Sequence, residues 1–120
     1  MTALVEGGAR RRNLPAPPHA VAESLCEPDR DPARPWLHLR GDEQRPAVVE
    51  KRGVELVVWS SLWQEQPEAL IRFELAPQRG GTDLLWTLLV AERPDASRLG
   101  HYRQRINQLI HAGLRSSYGQ

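Results

Sequence analysis

The sequence predicts an α+β domain: an antiparallel sheet covered on one face by a single long C-terminal helix. Three observations predict it. Between residues 47 and 91, apolar and polar residues alternate with period two, and turn residues interrupt the pattern every few positions. After Pro94 the apolar spacing changes to that of a helix. Before Trp36, prolines break the chain into short pieces.

The elements follow in order. Ala9–Leu14 predicts a first strand, with Arg10, Arg11 and Arg12 as a charged edge that discourages pairing with other chains. Residues 1–8 before it are expected to be disordered. Pro15, Pro17 and Pro18 lead into a short helix over His19–Cys26, whose Val21, Ala22 and Leu25 share a face; Pro18 suits a first helical turn, where no N–H is needed. Asp29, Asp31 and Ala33 suggest one further helical turn. Trp36, Leu37 and Leu39 are expected to open the sheet, and Ala47–Arg52 continues it. Arg52-Gly53 turns the chain into Val54–Trp63, and Gln66-Pro67-Glu68 turns it again.

Ala69–Leu75 alternates without a fault, with Ala69, Ile71, Phe73 and Leu75 on one face and Arg72 and Glu74 on the other. Gly80-Gly81 then leads into Thr82–Ala91. Placing Leu75 opposite Thr82 sets Phe73 against Leu84 and Ile71 against Trp86, all on one buried face. In the last element, Leu99, Tyr102, Ile106, Leu109, Ile110 and Leu114 form an apolar stripe, with Asp95 or Ser97 as N-cap. Arg98, Arg103, Arg105 and Arg115 are assigned to its solvated side.

A length of 120 residues fits one domain, spanning 1–120. With 16 basic and 15 acidic residues the net charge is +1, which gives no reason to expect nucleic-acid binding. Lys51 is the one lysine, a bias read as ancestry. One cysteine, Cys26, excludes an internal disulfide, and the absence of a signal-like N-terminus or an apolar run long enough to span a bilayer predicts a soluble, cytoplasmic protein.

Few groups suggest chemistry. His19, His38, His101 and His111 have no metal-ligand spacing, so no metal and no cofactor is expected. Cys26 reads as a small core residue, and Asp42-Glu43, beside Gly41, as solvated loop. The Arg10–Arg12 run is weighed as a phosphate site and read instead as an edge-strand device. Trp36, Trp59, Trp63 and Trp86 supply most of the aromatic area. They serve either to fill a small core or, for Trp86 with Trp59 or Trp63, to floor a pocket beneath the helix.

A family resemblance rests on particular residues. Leu14-Pro15-Ala16-Pro17-Pro18 leads into a helix, Trp36 follows it, Phe73-Glu74-Leu75 precedes Gly80-Gly81-Thr82 and an apolar strand, and Leu114–Gln120 closes the chain. That order resembles the START-like, or Bet v 1-like, superfamily (SRPBCC; polyketide cyclase/dehydrase and lipid-transport domains). The resemblance implies a helix-grip fold, in which a curved antiparallel sheet wraps around the long C-terminal helix. It also implies a hydrophobic small molecule, lipid or polyketide-like, held between them. The ligand-binding residues expected on that basis are Trp59, Ser61, Trp63, Ile71, Phe73, Leu84, Trp86, Tyr102, Ile106 and Ile110. No catalytic residue is expected, because no acid or base is seen on the inward face. The alternatives are a cyclase- or aromatase-type enzyme and a protein-interaction module; a homodimer is left open, and a cone-shaped NTF2-like barrel fits less well because its long helices come first.

Overall fold

In the computed structural model, which describes residues 3–33, 35–92 and 94–119, the alternating segments form one five-stranded antiparallel sheet. The strands are β1 (Val5–Leu14), β2 (Val48–Arg52), β3 (Leu56–Ser60), β4 (Leu70–Gln78) and β5 (Gly81–Val90), in the spatial order β1-β5-β4-β3-β2. β2 to β5 form a meander, and β1 closes against the last strand as an edge. Helix α1 (Pro18–Cys26) has Pro18 in its first turn and buries Val21, Ala22 and Leu25. The C-terminal helix, α2, runs as α-helix over Ala96–Gln108, widens to a π turn over Leu109–Leu114 and ends in Arg115–Ser117. Asp95 caps it, its Oδ1 accepting from the Arg98 N–H at 2.9 Å.

The faces of the sheet are as the alternation predicts. Ile71, Phe73, Leu84, Trp86 and Leu88 are buried beneath the helices, while Arg72 and Glu74 project from the other side and pair with each other at 3.0 Å. Ile71→Asp is therefore expected to abolish cooperative folding, because it buries an unpaired carboxylate. Arg72→Gln is expected to shift stability by under about 1 kcal/mol, since it removes only a half-exposed ion pair. Paired thermal melts read the contrast.

The pairing within that face differs from the expectation. Leu75 opposes Leu84, Phe73 opposes Trp86 and Ile71 opposes Leu88, a shift of two residues. The cause is the turn. β4 continues through Pro77 to Gln78, which opposes Gly81, leaving only Arg79-Gly80 as the loop. Gly80 takes a positive φ of 85°, which glycine adopts at little cost. Pro77 is tolerated because its nitrogen lies on the β3 side, past the Leu75 N–H bond to Glu55 O that ends that ladder.

Four further expectations are corrected. Trp36, Leu37 and Leu39 do not form a strand; the segment is irregular, although Trp36 and Leu37 are buried. Its backbone polar groups are taken elsewhere: His38 O accepts from Arg105, and the Arg40 N–H donates to Glu43 Oε1 at 2.8 Å. Val54–Trp63 yields strand only over Leu56–Ser60, with Trp63 making a single bridge to Glu43. Asp29–Ala33 forms turns rather than helix, with Asp31 Oδ1 accepting from the Ala33 N–H at 3.0 Å. Finally, the first strand begins at Val5 rather than Ala9, so residues 5–8 are paired with β5 rather than disordered; Met1 and Thr2 lie outside the described residues.

Candidate functional site

All ten residues expected to bind a ligand are 0–2% exposed, and nine of them belong to one apolar core cluster between the sheet and the two helices. Trp59 opposes Ile71 across β3 and β4, and Phe73 opposes Trp86 across β4 and β5. Tyr102, Ile106 and Ile110 reach this face from α2 by helical spacing. The rings interlock: Trp59 meets Phe73 edge-on at 4.8 Å, stacks on Trp36 at 5.9 Å, and Trp63 lies 4.2 Å from Tyr102.

The polar groups of this interior fall into two kinds. Hydroxyls are engaged: Ser61 Oγ donates to Trp63 O and accepts from the Trp63 N–H, each at 3.0 Å, and Thr82 donates to Ala16 O at 2.6 Å. Tyr102 donates to Glu65, which also pairs with Arg98. Burial first, and then the hydrogen bond to Glu65 and its charge, push the Tyr102 phenol up to about 12. Tyr102 is thus a neutral donor across the physiological range. The indoles differ. Trp59 Nε1 donates to Leu25 O at 2.8 Å, whereas the buried indole nitrogens of Trp36, Trp63 and Trp86 have no hydrogen-bond partner.

One end of the interior is closed by a buried ion pair that charge patterning did not reveal. Arg105 forks onto Glu43, Nε to Oε2 at 2.7 Å and Nη2 to Oε1 at 2.9 Å, with side chains 7% and 0% exposed. The sequence pattern alone places both residues in solvent. One signal was present, however: Arg105 lies three residues after Tyr102 and four before Leu109, on the apolar stripe itself. Burial opposes ionisation of Glu43, but hydrogen bonds from Arg105 and the Arg40 N–H, and the fields of both arginines, outweigh it and hold the carboxyl below the usual range.

Two surface depressions bear on the site. A groove of about 760 Å³ crosses the outer face of the sheet, but each of its arginines has a carboxylate partner, with Glu55 as a further acid: Arg11 with Asp83 at 2.6 Å, Arg72 with Glu74, and Arg52 with Glu50 at 3.6 Å. A crevice of about 320 Å³ lies between β1 and α2, lined by Ala9, Arg10, Arg103, Gln104 and Asn107, with Trp86 reaching it from the core. Cys26 is partly buried at the core margin, and burial pushes its thiol up, away from reactivity. Among the described residues, no group of three His, Cys, Asp or Glu side chains is placed to hold a metal ion. Among the same residues, no helix is long and apolar enough to cross a membrane.

No family model and no curated protein matches the chain. Solved structures do. The chain is similar to CalU16 from Micromonospora echinospora (15% identity, TM-score 0.65, covering 92% of this chain and 80% of that one). It is similar to Aha1 from Colwellia psychrerythraea, solved as a dimer (13% identity, TM-score 0.67, 91% and 92% covered). An AHSA1-like protein from Rhizobium etli matches at 19% identity and a TM-score of 0.58, with 92% and 78% covered. With the five-stranded antiparallel sheet gripping a 22-residue C-terminal helix, these likenesses establish the fold of the chain as the α+β helix-grip fold.

Proposed function

We propose that the chain binds a flat, hydrophobic small molecule of the lipid or polyketide-like kind between sheet and C-terminal helix, without transforming it. Its contacts are Trp59, Ser61, Trp63, Ile71, Phe73, Leu84, Trp86, Tyr102, Ile106 and Ile110. The observation that carries this reading is the pair of unpartnered indole N–H groups, on Trp63 and Trp86, within the apolar interior. A buried donor without an acceptor costs about 1–3 kcal/mol. An apolar guest bearing one carbonyl or hydroxyl oxygen recovers that cost while keeping the surrounding surface dry.

The rings occupy the interior, so binding on this reading requires α2 to move outward from the sheet. The non-catalytic part rests on the state of the interior hydroxyls. Ser61, Thr82 and Tyr102 already donate within the protein, and Tyr102 holds its proton to about pH 12. General acid–base work needs a group that exchanges its proton near the working pH.

Tryptophan fluorescence tests the reading. Titration with fatty acids, sterols and flat polyketide-like aromatics is expected to give at least one saturable change, with the negative heat capacity of apolar burial. Trp86→Phe, which keeps an aromatic ring though a smaller one and removes the N–H, is expected to weaken binding of an oxygen-bearing ligand about tenfold while still folding. A panel with no saturable response, or an unchanged affinity in both Trp86→Phe and Trp63→Phe, would overturn it.

A further inference from the structure

The sheet register divides the run Arg10-Arg11-Arg12 between two surfaces. Directly opposed residues of an antiparallel pair share a face. Arg11 opposes Leu85 and pairs with Asp83 on the outer side. Arg10 opposes Trp86 and Arg12 opposes Leu84, so both lie on the side covered by the helix. Because β1 is the edge, these two guanidiniums meet the flank of α2 instead of entering the core.

Among the described residues, neither forms an ion pair there. Arg12 Nε donates to Asn107 Oδ1 at 3.1 Å, and Arg103, one helical turn before Asn107, faces Arg10 across the crevice of about 320 Å³. The Arg103 stem lies against Gly8, where any Cβ would fall 2.4 Å from Arg103 Cδ; glycine is what lets helix and strand approach. Arg115 contributes a fourth charge from the end of the same helix. Partial burial, followed by the positive fields of Arg10 and Arg115, holds the Arg12 guanidinium below the ordinary arginine range. Among the described residues, none of the four forms an ion pair, and Arg115 Nε is buried without a hydrogen-bond partner.

We propose that the crevice between β1 and α2 binds an oxyanion, a phosphate or carboxylate group, through Arg10 and Arg103, with Arg12 and Arg115 adding positive field from beside it. Two unneutralised guanidiniums, Arg10 and Arg103, line this concavity, and Arg12 stands beside it on Asn107; like charges so close repel each other, and an oxyanion both relieves the repulsion and accepts their forked donors. The contrast with the outer groove is the discriminating feature: there every arginine named above has its own carboxylate. The site requires no opening of the core, so it stands or falls apart from the interior ligand. Its oxyanion is either free or the head group of an amphiphile.

Calorimetric titration of the full chain at low ionic strength, with inorganic phosphate and separately with dodecyl phosphate, tests this. Saturable phosphate binding is expected, weakened about tenfold or more in Arg10→Gln/Arg103→Gln. It should be retained in Lys51→Gln/Arg79→Gln, which removes the same charge from exposed positions elsewhere. Equal affinities for the two phosphates would support a free oxyanion, and tighter dodecyl phosphate an amphiphile head group. Absence of saturable binding, or equal weakening in the control variant, would overturn the site. Dodecyl phosphate binding equally well to Arg10→Gln/Arg103→Gln would overturn it while leaving the interior reading intact. Should the double variant fail to fold, Arg10→Gln alone, at an exposed side chain, is expected to weaken phosphate binding several-fold, and an unchanged affinity would count against the proposal.

Discussion

A chain ending at Pro94 is expected to be insoluble or molten. The truncation uncovers the inner face of the sheet, where Leu84, Trp86 and Leu88 are at most 1% exposed, and removes Leu99, Tyr102, Ile106, Leu109, Ile110 and Leu114 from the core. Burial of one large apolar side chain contributes about 1.5–3 kcal/mol. Six of them therefore match the whole net stability typical of a domain, about 5–15 kcal/mol. Sheet content by far-ultraviolet circular dichroism, dye binding and the width of the thermal transition read the outcome. A cooperative melt with a native-like spectrum would show that the sheet stands without the helix.

The second large effect is expected at the buried ion pair. Arg105→Ala should lower the unfolding free energy by about 3–5 kcal/mol, because Glu43 stays buried without its fork. Replacing both partners by apolar residues of similar size, Glu43→Leu with Arg105→Met, should recover most of that loss. A recovery of that size would identify the penalty as uncompensated charge. The same pair sets an acid response. The Glu43 carboxyl is lowered in the fold, so the stability it adds is complete above the ordinary glutamate range, near about 4.3. It drains as pH falls from there toward the folded value. Urea midpoints between pH 7 and pH 3 should fall more steeply for the wild type than for Glu43→Gln; parallel curves would show that the pair does not couple to folding.

Much of the architecture was legible because it is written in local periods. Ile71, Phe73 and Leu75 alternate with Arg72 and Glu74, and Leu99, Tyr102 and Ile106 recur by helical turns. Each pattern assigns a face without reference to any other segment. The register of β4 on β5 was not legible, since a shift of two residues leaves every side chain on the same face. Only the Arg79-Gly80 turn decides it, through geometry that alternation does not carry.

The polar features needed the assembled fold. Glu43 reads as loop and Arg105 as helix surface until the fold brings these residues, sixty-two positions apart, within 2.7 Å. The irregular stretch from Trp36 to Arg40 reads as strand until the Arg105 fork takes the His38 carbonyl. Arg10, Arg11 and Arg12 look alike in sequence; strand pairing sends the middle one to Asp83 and the outer two toward Asn107 and Arg103. Apolar burial is non-directional and follows from which residues are apolar, so a one-dimensional pattern conveys it. Ion pairs and orphaned donors depend on direction and on distances of about 3 Å between remote residues, and those exist only once helix and sheet have met.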